Sequence, residues 1–304
     1  MPAQLNVGLL GAALVAQCLS WLALSAQGGI GFAGALAGVL LTPLLWSLIH
    51  EAIHGHLYRQ PACSRRGGRL LAVGFGAPFA VLQAGHLFHH RFNRSALERT
   101  EVYDPRVTPA WQAAVAYYFR LLGGLYLAEW LSNFLVWLPR AWLRKGLAWA
   151  SDGRPRQWDT HPLAAMVMAP RALHEARRDA LAVLMVWGGV SLIAEPGWLA
   201  ALLLGRGLWV SLFDNLYHYG APLNDRLAAH DVRTLPWLQA GMLNFNLHHT
   251  HHCHPQLRWW ELPGAADQQQ VPGPTLRDAL LQQLAGPRPY GSGEQSPERP
   301  ARTE

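Results

Sequence analysis

The chain has 304 residues, a net charge of +6 and 51% hydrophobic residues, whereas only 14% of its residues are charged. Soluble domains carry about 25% charged residues, so this composition argues against a soluble protein and indicates one embedded in a membrane. The arginines lie in loops beside apolar stretches, which suits orientation in a membrane better than nucleic-acid binding. Cys18, Cys63 and Cys253 are far apart, and their spacing predicts neither a disulfide framework nor a cysteine zinc site.

The N-terminal region contains two apolar segments, residues 7–26 and 30–49, each about long enough to cross a bilayer. A short uncharged turn at 25–29 joins them, and arginines follow only after the second segment. The positive-inside rule therefore predicts that this turn lies outside the cell and that both chain termini lie in the cytoplasm. The N-terminus lacks the basic region of a signal peptide, so we expect the first segment to be retained.

Two further apolar stretches are not expected to be simple spans. Residues 70–85 are short, interrupted by Gly and Pro, and flanked by arginine on both sides, which indicates a re-entrant or interfacial segment. Residues 111–138 are apolar, with Glu129 inside and basic residues on both sides. A surface-lying amphipathic helix and a short hairpin both fit this pattern, and we favour the helix.

The second half contains a second predicted hairpin, formed by residues 180–194 and 197–217. Arg206 lies inside its last span, where a buried arginine needs a partner or a path to water. Residues 286–304 are rich in Pro, Gly and charge, which predicts a disordered tail after one membrane domain at 1–285. The predicted fold class is all-α integral membrane, with about four transmembrane helices in two hairpins and a cytoplasmic helical cap that carries the histidine clusters.

Most of the fifteen histidines fall in three clusters, at or just beyond the predicted cytoplasmic ends of the spans. The clusters are His50, His54 and His56; His86, His89 and His90; and His248, His249, His251, His252 and His254. Spacings of three and four residues place two or three imidazoles of each cluster on one face of a helix. We therefore expect each cluster to direct its rings at one point, with His218 beside them at the end of the last span.

Eight imidazoles from three segments exceed the three or four ligands of one zinc ion, so the clusters predict two metal ions. Imidazole suits iron, zinc, copper and nickel alike. The sequence HEAIH also matches HExxH, in which Glu51 would be the general base of an intramembrane zinc protease. Such a protease would leave two clusters unexplained, and a metal transporter would bind its ion near the bilayer midplane rather than at span ends.

The three clusters also carry a family resemblance. HEAIH, HLFHH and HHTHH, in this order around paired hydrophobic hairpins, resemble the three histidine boxes of the membrane fatty acid desaturase and hydroxylase superfamily. The continuation HHCHPQLRWWELP is similar to the third box of fatty acid desaturases and carotenoid ketolases. DNLYHYG, residues 214–220, is similar to a motif of bacterial alkane hydroxylases. We name the clusters the first (50–56), second (86–90) and third (248–254) histidine box.

This resemblance implies a non-haem centre of two iron ions on the cytoplasmic side. The metal ligands carried over by position are His50, His54, His86, His89, His90, His218, His248, His251 and His252. In acyl-CoA desaturases a metal-binding Asn precedes the extra histidine by four residues, whereas here Asp214 holds that position and Asn215 follows it. Candidates for orienting the ligand imidazoles are Asp214, Asn215, Glu51 and Asp104, with Glu98 and Glu101 after the second box. His56, His249 and His254 exceed the family pattern.

The resemblance further implies O₂-dependent oxidation of an unactivated C–H bond in a membrane lipid or acyl substrate. Desaturation of a fatty acyl chain is the expected reaction, with hydroxylation, ketolation of a carotenoid or alkyl chain, and terminal-alkene-forming decarboxylation as alternatives. Arg59, Arg91 and Arg94 are candidates to meet the substrate head group. Electrons are expected from a separate ferredoxin, rubredoxin or haem protein with its reductase. The composition favours a bacterial inner membrane, and no nucleic acid is expected as a partner.

Overall fold

The computed structural model describes residues 2–143, 145, 162–269 and 273–291. Within these ranges the chain is mostly helical, and this confirms the predicted all-α integral membrane fold. In chain order the elements are α1 (Pro2–Ala23), α2 (Gly28–Leu40), α3 (Thr42–Ile53), α4 (Pro61–Phe75), α5 (Phe79–Phe92), β1 (Val102–Tyr103), α6 (Ala110–Phe119), α7 (Leu125–Leu135), α8 (Pro162–Met168), α9 (Pro170–Ile193), α10 (Pro196–Leu216), α11 (Pro236–Gly241), α12 (His248–Cys253), α13 (Leu262–Gln269), α14 (Leu276–Gln283) and β2 (Arg288–Pro289).

Three helical stretches of the described chain are long and apolar enough to cross a bilayer: Gln4–Ala23, Gly28–Ile53 and Pro196–Leu216. The first two form the predicted N-terminal hairpin, and the second of them runs through both α2 and α3. Small residues allow α1 and α2 to pack closely, as is common between helices in lipid. Ser20 Oγ on α1 donates to the carbonyl of Gly34 on α2 at 2.8 Å.

The second hairpin differs from its prediction in one helix. The predicted span 180–194 is the second half of α9, and α9 is not among the candidate spans. The reason is that charged side chains occupy the middle of α9, where buried Asp179 pairs with Arg69 of α4 at 3.0 Å. The fourth candidate span is instead the pair α4 and α5.

Helices α4 and α5 meet at an angle of 102°, so the pair has the form of a broken span or a re-entrant loop. The predicted re-entrant segment 70–85 contains this bend. Helix α4 ends at Gly76, whose φ of +101° is a left-handed conformation that favours glycine, and Pro78 then precedes α5. The break therefore follows directly from the Gly and Pro residues that the sequence places there.

Arg206 supports this break from inside the neighbouring span. The side chain is fully buried on α10, and its guanidinium donates to the carbonyl groups of Gly74 and Phe75 at 2.9 and 3.0 Å. It also donates to Gln17 Oε1 on α1 at 2.9 Å, and it lies over the rings of Phe75 and Trp187. The arginine that seemed out of place in an apolar span thus satisfies the carbonyl groups that the end of α4 leaves unpaired.

Replacing Arg206 with methionine is expected to destabilise the protein by about 3 kcal/mol, because buried carbonyl groups lose charged hydrogen bonds. The variant no longer has to bury a guanidinium group, but this gain offsets only part of the loss. Thermal unfolding of the detergent-solubilised chain measures the loss. Arg206→Lys keeps the charge but lacks the planar guanidinium group. Its stability should lie between those of the parent chain and the methionine variant. A methionine variant as stable as the parent chain would contradict this role.

The apolar stretch 111–138 is neither of the two predicted forms. It contains two helices, α6 and α7, separated by a π-helical turn at Arg120–Gly124. Gly123 interrupts the helix with a φ of +115°, and it lies against Gly207 of α10, where neither residue has a side chain to separate the backbones. The single amphipathic helix was wrong because the Gly-Gly sequence allows a kink at this contact.

The segment after α10 forms the predicted helical cap. Ser47 on α3 donates to the carbonyl of Met242 at 2.6 Å, and Asn215 on α10 donates to Gln283 Oε1 on α14 at 2.9 Å. Strand β2 pairs in parallel with β1, so the ordered chain extends past the predicted boundary at residue 285. Residues 292–304 of the predicted tail lie outside the described residues.

Candidate metal centre

The first histidine box lies at the end of a span. His50 occupies the last turn of α3, and His54 is the residue at which the helix stops. Around them Leu48, Ile49 and Ala52 are buried in the main apolar core between α3 and α4. This packing fixes the direction of both rings. His50 and His54 point to the same side of the helix, as their spacing of four residues predicts.

The second and third boxes lie on α5 and α12, and each helix divides its histidines between two sites. His86 and His90 of α5 join His251 of α12, whereas His248 and His252 of α12 join His89 of α5. Each box thus directs two imidazoles at one site, within the two or three that the spacing predicts, and the third ring of the second and third boxes turns to the other site. At about 100° per residue, histidines four apart differ by only about 40°, but the third histidine lies about 60–100° away from them.

The result is two groups that together contain all nine predicted ligands. The five-histidine group consists of His50, His54, His86, His90 and His251, and the four-histidine group consists of His89, His218, His248 and His252. Within each group the potential ligand atoms all lie within 4.8 Å of one another. Helices α5 and α12 contribute to both groups, so the two groups are direct neighbours.

The distances between ring nitrogens test whether the groups suit a metal ion. Neighbouring Nε2 atoms are 2.9–3.0 Å apart in the five-histidine group and 3.0–3.2 Å apart in the four-histidine group. Ligands about 2.1 Å from one ion lie about 3.0 Å apart at octahedral angles and about 3.4 Å apart at tetrahedral angles. The five-histidine group therefore matches the octahedral value, whereas the four-histidine group lies between the octahedral and tetrahedral values.

The rings are also in the charge state that metal binding requires. Burial, and then the neighbouring imidazoles, lowers the pKa of His218, His248, His251 and His252 well below the usual value for histidine. These rings are therefore neutral at pH 7, and each retains a nitrogen lone pair that can bind a cation. Packing of so many neutral imidazoles creates a site that a cation can stabilise.

Glu98 orients a ligand of the four-histidine group. Its Oε1 lies 3.3 Å from Nδ1 of His89, while Nε2 of His89 faces His252. Burial alone would raise the pKa of Glu98, but His89 and Arg120 lower it below its usual value, so the carboxylate is ionised. A carboxylate on one ring nitrogen fixes the tautomer that leaves the other nitrogen free for metal. Glu98 was among the orienting residues predicted from the sequence.

A contact between Asp231 and Thr250 holds the third box in place. Asp231 Oδ1 accepts from the backbone N–H of Thr250 at 3.0 Å, and its Oδ2 accepts from the Thr250 hydroxyl group. Thr250 lies between the two histidine pairs of α12, so this contact fixes the rotation of the whole helix. The sequence reasoning missed Asp231, because a single aspartate in a loop gives no local signal of its partner.

Asn93 fixes the backbone beside the four-histidine group. Its amide donates to the carbonyl groups of Arg226 and Ala228 at 3.0 and 2.9 Å. These two carbonyl groups face the rings of His252 and His218, outside hydrogen-bond geometry in both cases. The residue that follows the second box therefore aligns a loop against ligands from two other segments.

The other predicted orienting residues serve different partners. Asp214 forms an ion pair with Arg120 at 3.1 Å, and Asn215 donates to Tyr117 and Gln283. Asp104 binds the side chain of Arg106. The Glu51 carboxyl group is buried, and its Oε2 has no hydrogen-bond partner among the described residues. Asp214 occupies the position of the family asparagine, but its side chain turns to the arginine of the π-helical turn.

The histidines beyond the family pattern lie at the edges of the centre. The His56 ring stacks 5.8 Å from the His54 ring, and His249 Nδ1 faces the carbonyl of Leu227 at 3.2 Å. His254 contributes its backbone N–H to the end of α12. His230 faces the carbonyl of Tyr219, His174 is exposed, and His161 lies outside the described residues.

Three aromatic residues border both groups. Phe245 lies 4.9 Å from His50 of the five-histidine group and 4.9 Å from His248 of the four-histidine group, measured between ring centroids. Trp46 contacts both His86 and Phe245, and Tyr217 stacks on His248. This aromatic wall limits access of water from its side and offers an apolar surface to a hydrocarbon chain.

Comparison with known families agrees with this centre. The sequence matches the family described as Fatty acid desaturase over residues 10–275, which includes all three histidine boxes and His218. The chain belongs to the fatty acid desaturase family. No curated protein matches the sequence. The fatty acid desaturase family implies an oxidoreductase of the desaturase and hydroxylase type with a lipid or acyl substrate.

The geometry of the first histidine box bears on the HExxH alternative. In a zinc protease the two histidines of HExxH and one further ligand leave a position open for water. Here His50 and His54 share their site with three more histidines. The geometry therefore does not support a protease site at the first box.

Proposed function

We propose that this fatty acid desaturase family member is a non-haem di-iron oxidase that desaturates a fatty acyl chain with O₂ and external electrons. The observation that carries the proposal is the pair of neighbouring groups, with five and four histidines, at the ends of apolar helices. The nine metal ligands are those predicted from the sequence. In the five-histidine group the near-octahedral spacing of the Nε2 atoms supports an ion that accepts five or six ligands.

Iron is the metal proposed for both groups. Zinc cannot change its oxidation state, whereas oxidation of a hydrocarbon requires a redox-active metal. Two ferrous ions would supply O₂ activation and removal of hydrogen from an unactivated C–H bond. The chain's own part is to hold the imidazoles neutral and fixed, with Glu98 and Asp231 restraining His89 and α12.

Desaturation converts one –CH₂–CH₂– unit to –CH=CH–, and O₂ is reduced to two molecules of water. Two electrons from the substrate C–H bonds and two from the donor complete this balance, with two protons from the substrate and two from solvent water. The substrate supported by the family is a membrane lipid or acyl chain. We propose that the chain passes the aromatic wall of Trp46, Tyr217 and Phe245, because an apolar surface there excludes water from the reaction.

Electrons must come from another protein in this proposal, because the three cysteines are too far apart in sequence to form an iron–sulfur motif. A ferredoxin, rubredoxin or haem protein with its reductase is the proposed donor. The arginine-rich loops favour an acidic partner. Orientation of the histidine boxes toward the cytoplasm of a bacterial inner membrane follows from the positive-inside rule and belongs to the same proposal.

Lipid and hydrocarbon profiles of expressing bacterial cells test the function. Cells with the intact chain should contain a fatty acyl chain with a new double bond, and cells with His248→Ala should not. A hydroxylated or ketolated product, or a shortened 1-alkene, would retain the oxidase and replace desaturation as its reaction. Profiles that are identical in the two strains and in cells without the chain would contradict lipid oxidation altogether.

A further inference from the structure

A small pocket lies beside the five-histidine group, where three segments meet. These segments are the start of α1, the loop between α3 and α4, and the loop after α12. The pocket is lined by Asn6, His56, Leu57, Tyr58, Arg59, Arg258 and Trp260. Its volume of about 20 Å³ is enough for roughly one water-sized group. A ligand can therefore place only a small terminal group inside.

Two guanidinium groups of this lining have no ion pair. Within the described residues, no carboxylate oxygen lies within 4.0 Å of a guanidinium nitrogen of Arg59 or Arg258. Glu261 is near, but its carboxylate accepts from the backbone N–H of Arg258. Glu51 is buried, and its carboxyl group lies more than 4.0 Å from both guanidinium groups. The nearby acids thus leave both guanidinium forks available to an external anion.

The pocket is built rather than formed by loose surface chains. Asn6 donates to the carbonyl of Leu57 at 3.0 Å and accepts from Trp259 Nε1 at 3.1 Å, so one side chain joins all three segments. Arg258 lies over the ring of Trp260 at 5.4 Å, and a cation held on an aromatic face has fewer conformations to lose when it binds.

The position of the pocket connects it to the metal centre. The ring of His56 forms part of the lining and stacks 5.8 Å from the ring of His54 in the five-histidine group. The other two candidates for a head-group contact lie elsewhere. Arg94 is buried in a bidentate pair with Glu101, and Arg91 is exposed at the end of α5.

We propose that this pocket binds the terminal oxyanion of the acyl substrate, a carboxylate or a phosphate, through Arg59 and Arg258. The proposal rests on the proposed function, because it assigns the head group of that substrate. Planar guanidinium groups match the oxygens of a carboxylate or a phosphate with paired, charge-assisted hydrogen bonds. The small volume admits about one oxygen of the oxyanion and leaves the rest of the head group and the hydrocarbon chain outside the pocket.

Equilibrium binding to the full-length, metal-loaded chain in a neutral detergent tests this site. The probes are dodecanoate, dodecyl phosphate, dodecanol and inorganic phosphate. The parent chain should bind each of the two anionic lipids about 10- to 100-fold more tightly than dodecanol, which corresponds to one or two charge-assisted contacts. A preference for only one of them names the head group. Equal binding of all four probes, or binding of inorganic phosphate alone, would overturn a lipid head-group site.

Variants locate the contact on the chain. Arg59→Gln combined with Arg258→Gln should remove the preference for the anionic lipid, whereas Arg91→Gln should keep it. Gel filtration and iron content establish that each variant is folded and metal-loaded. Unchanged affinity in the double variant, or loss in Arg91→Gln instead, would contradict the assignment. These binding measurements need no turnover. They can contradict the head-group site while the lipid profile still shows oxidation, and they can support the site while the lipid profile shows none.

Discussion

Replacing His251 with alanine is expected to lower the iron content of the purified chain from about two ions to one or fewer. Oxidation of lipid should fall by about 100-fold or more, because even residues that only orient metal ligands contribute up to about 100-fold. Nε2 of His251 lies 3.0 Å from both His50 and His90, so it is central to the five-histidine group. Elemental analysis and product quantification from the same preparation measure both effects.

His254→Ala is the matched control, because His254 lies in the same box and belongs to neither group. It should retain about two ions and the activity of the parent chain. A His251→Ala protein that keeps two irons and full activity would remove this histidine from the centre. One zinc ion per chain in the unmodified protein would contradict iron and would revive the protease alternative.

Replacing Glu101 with glutamine is expected to destabilise the fold by about 3–5 kcal/mol, because it leaves a buried guanidinium without its counter-charge. Glu101 and Arg94 are both essentially inaccessible to solvent and form two hydrogen bonds of 2.7 and 2.9 Å. Glu101 also accepts from the backbone N–H of Gly220, two residues after His218. Chemical or thermal unfolding in detergent gives the change in stability.

Two comparisons isolate the cause of this loss. The double variant Arg94→Met with Glu101→Leu removes both charges and should recover most of the stability, since an apolar pair of similar size often replaces a buried ion pair without loss. Arg106→Gln breaks a surface pair with Asp104 and should leave stability almost unchanged, because the Arg106 side chain is 76% exposed and solvent screens the pair. Equal effects of Glu101→Gln and Arg106→Gln would show that burial is not the cause.

The sequence was sufficient to select the nine histidines that the structure brings together, because spacings of three and four residues mark eight of them and the family resemblance implies the same eight with His218. The N-terminal hairpin was predictable for a similar reason, since apolar length alone determines it. Helix α9 was not, because the pairing of Asp179 with Arg69 is a contact between residues more than a hundred positions apart.

The orienting residues show the limit of local pattern more clearly. Asp214 was a candidate because it occupies the family position four residues before His218, yet its carboxylate pairs with Arg120 across a kink that no motif predicts. Asp231 binds the third box from a loop about twenty residues away and was not considered. Such contacts depend on how packed helices are rotated, which spacing along one segment does not determine.

Helices α5 and α12 each contribute histidines to both groups, and this has a consequence for metal binding. Each helix gives a pair of rings to one site and a single ring to the other, so rotating either helix disturbs both sites at once. An ion seated at one site therefore pre-arranges its neighbour, and the two affinities are thermodynamically linked. We expect the two ions to bind cooperatively. At limiting iron, the protein should then be a mixture of metal-free chains and chains with two ions, with few chains that hold one.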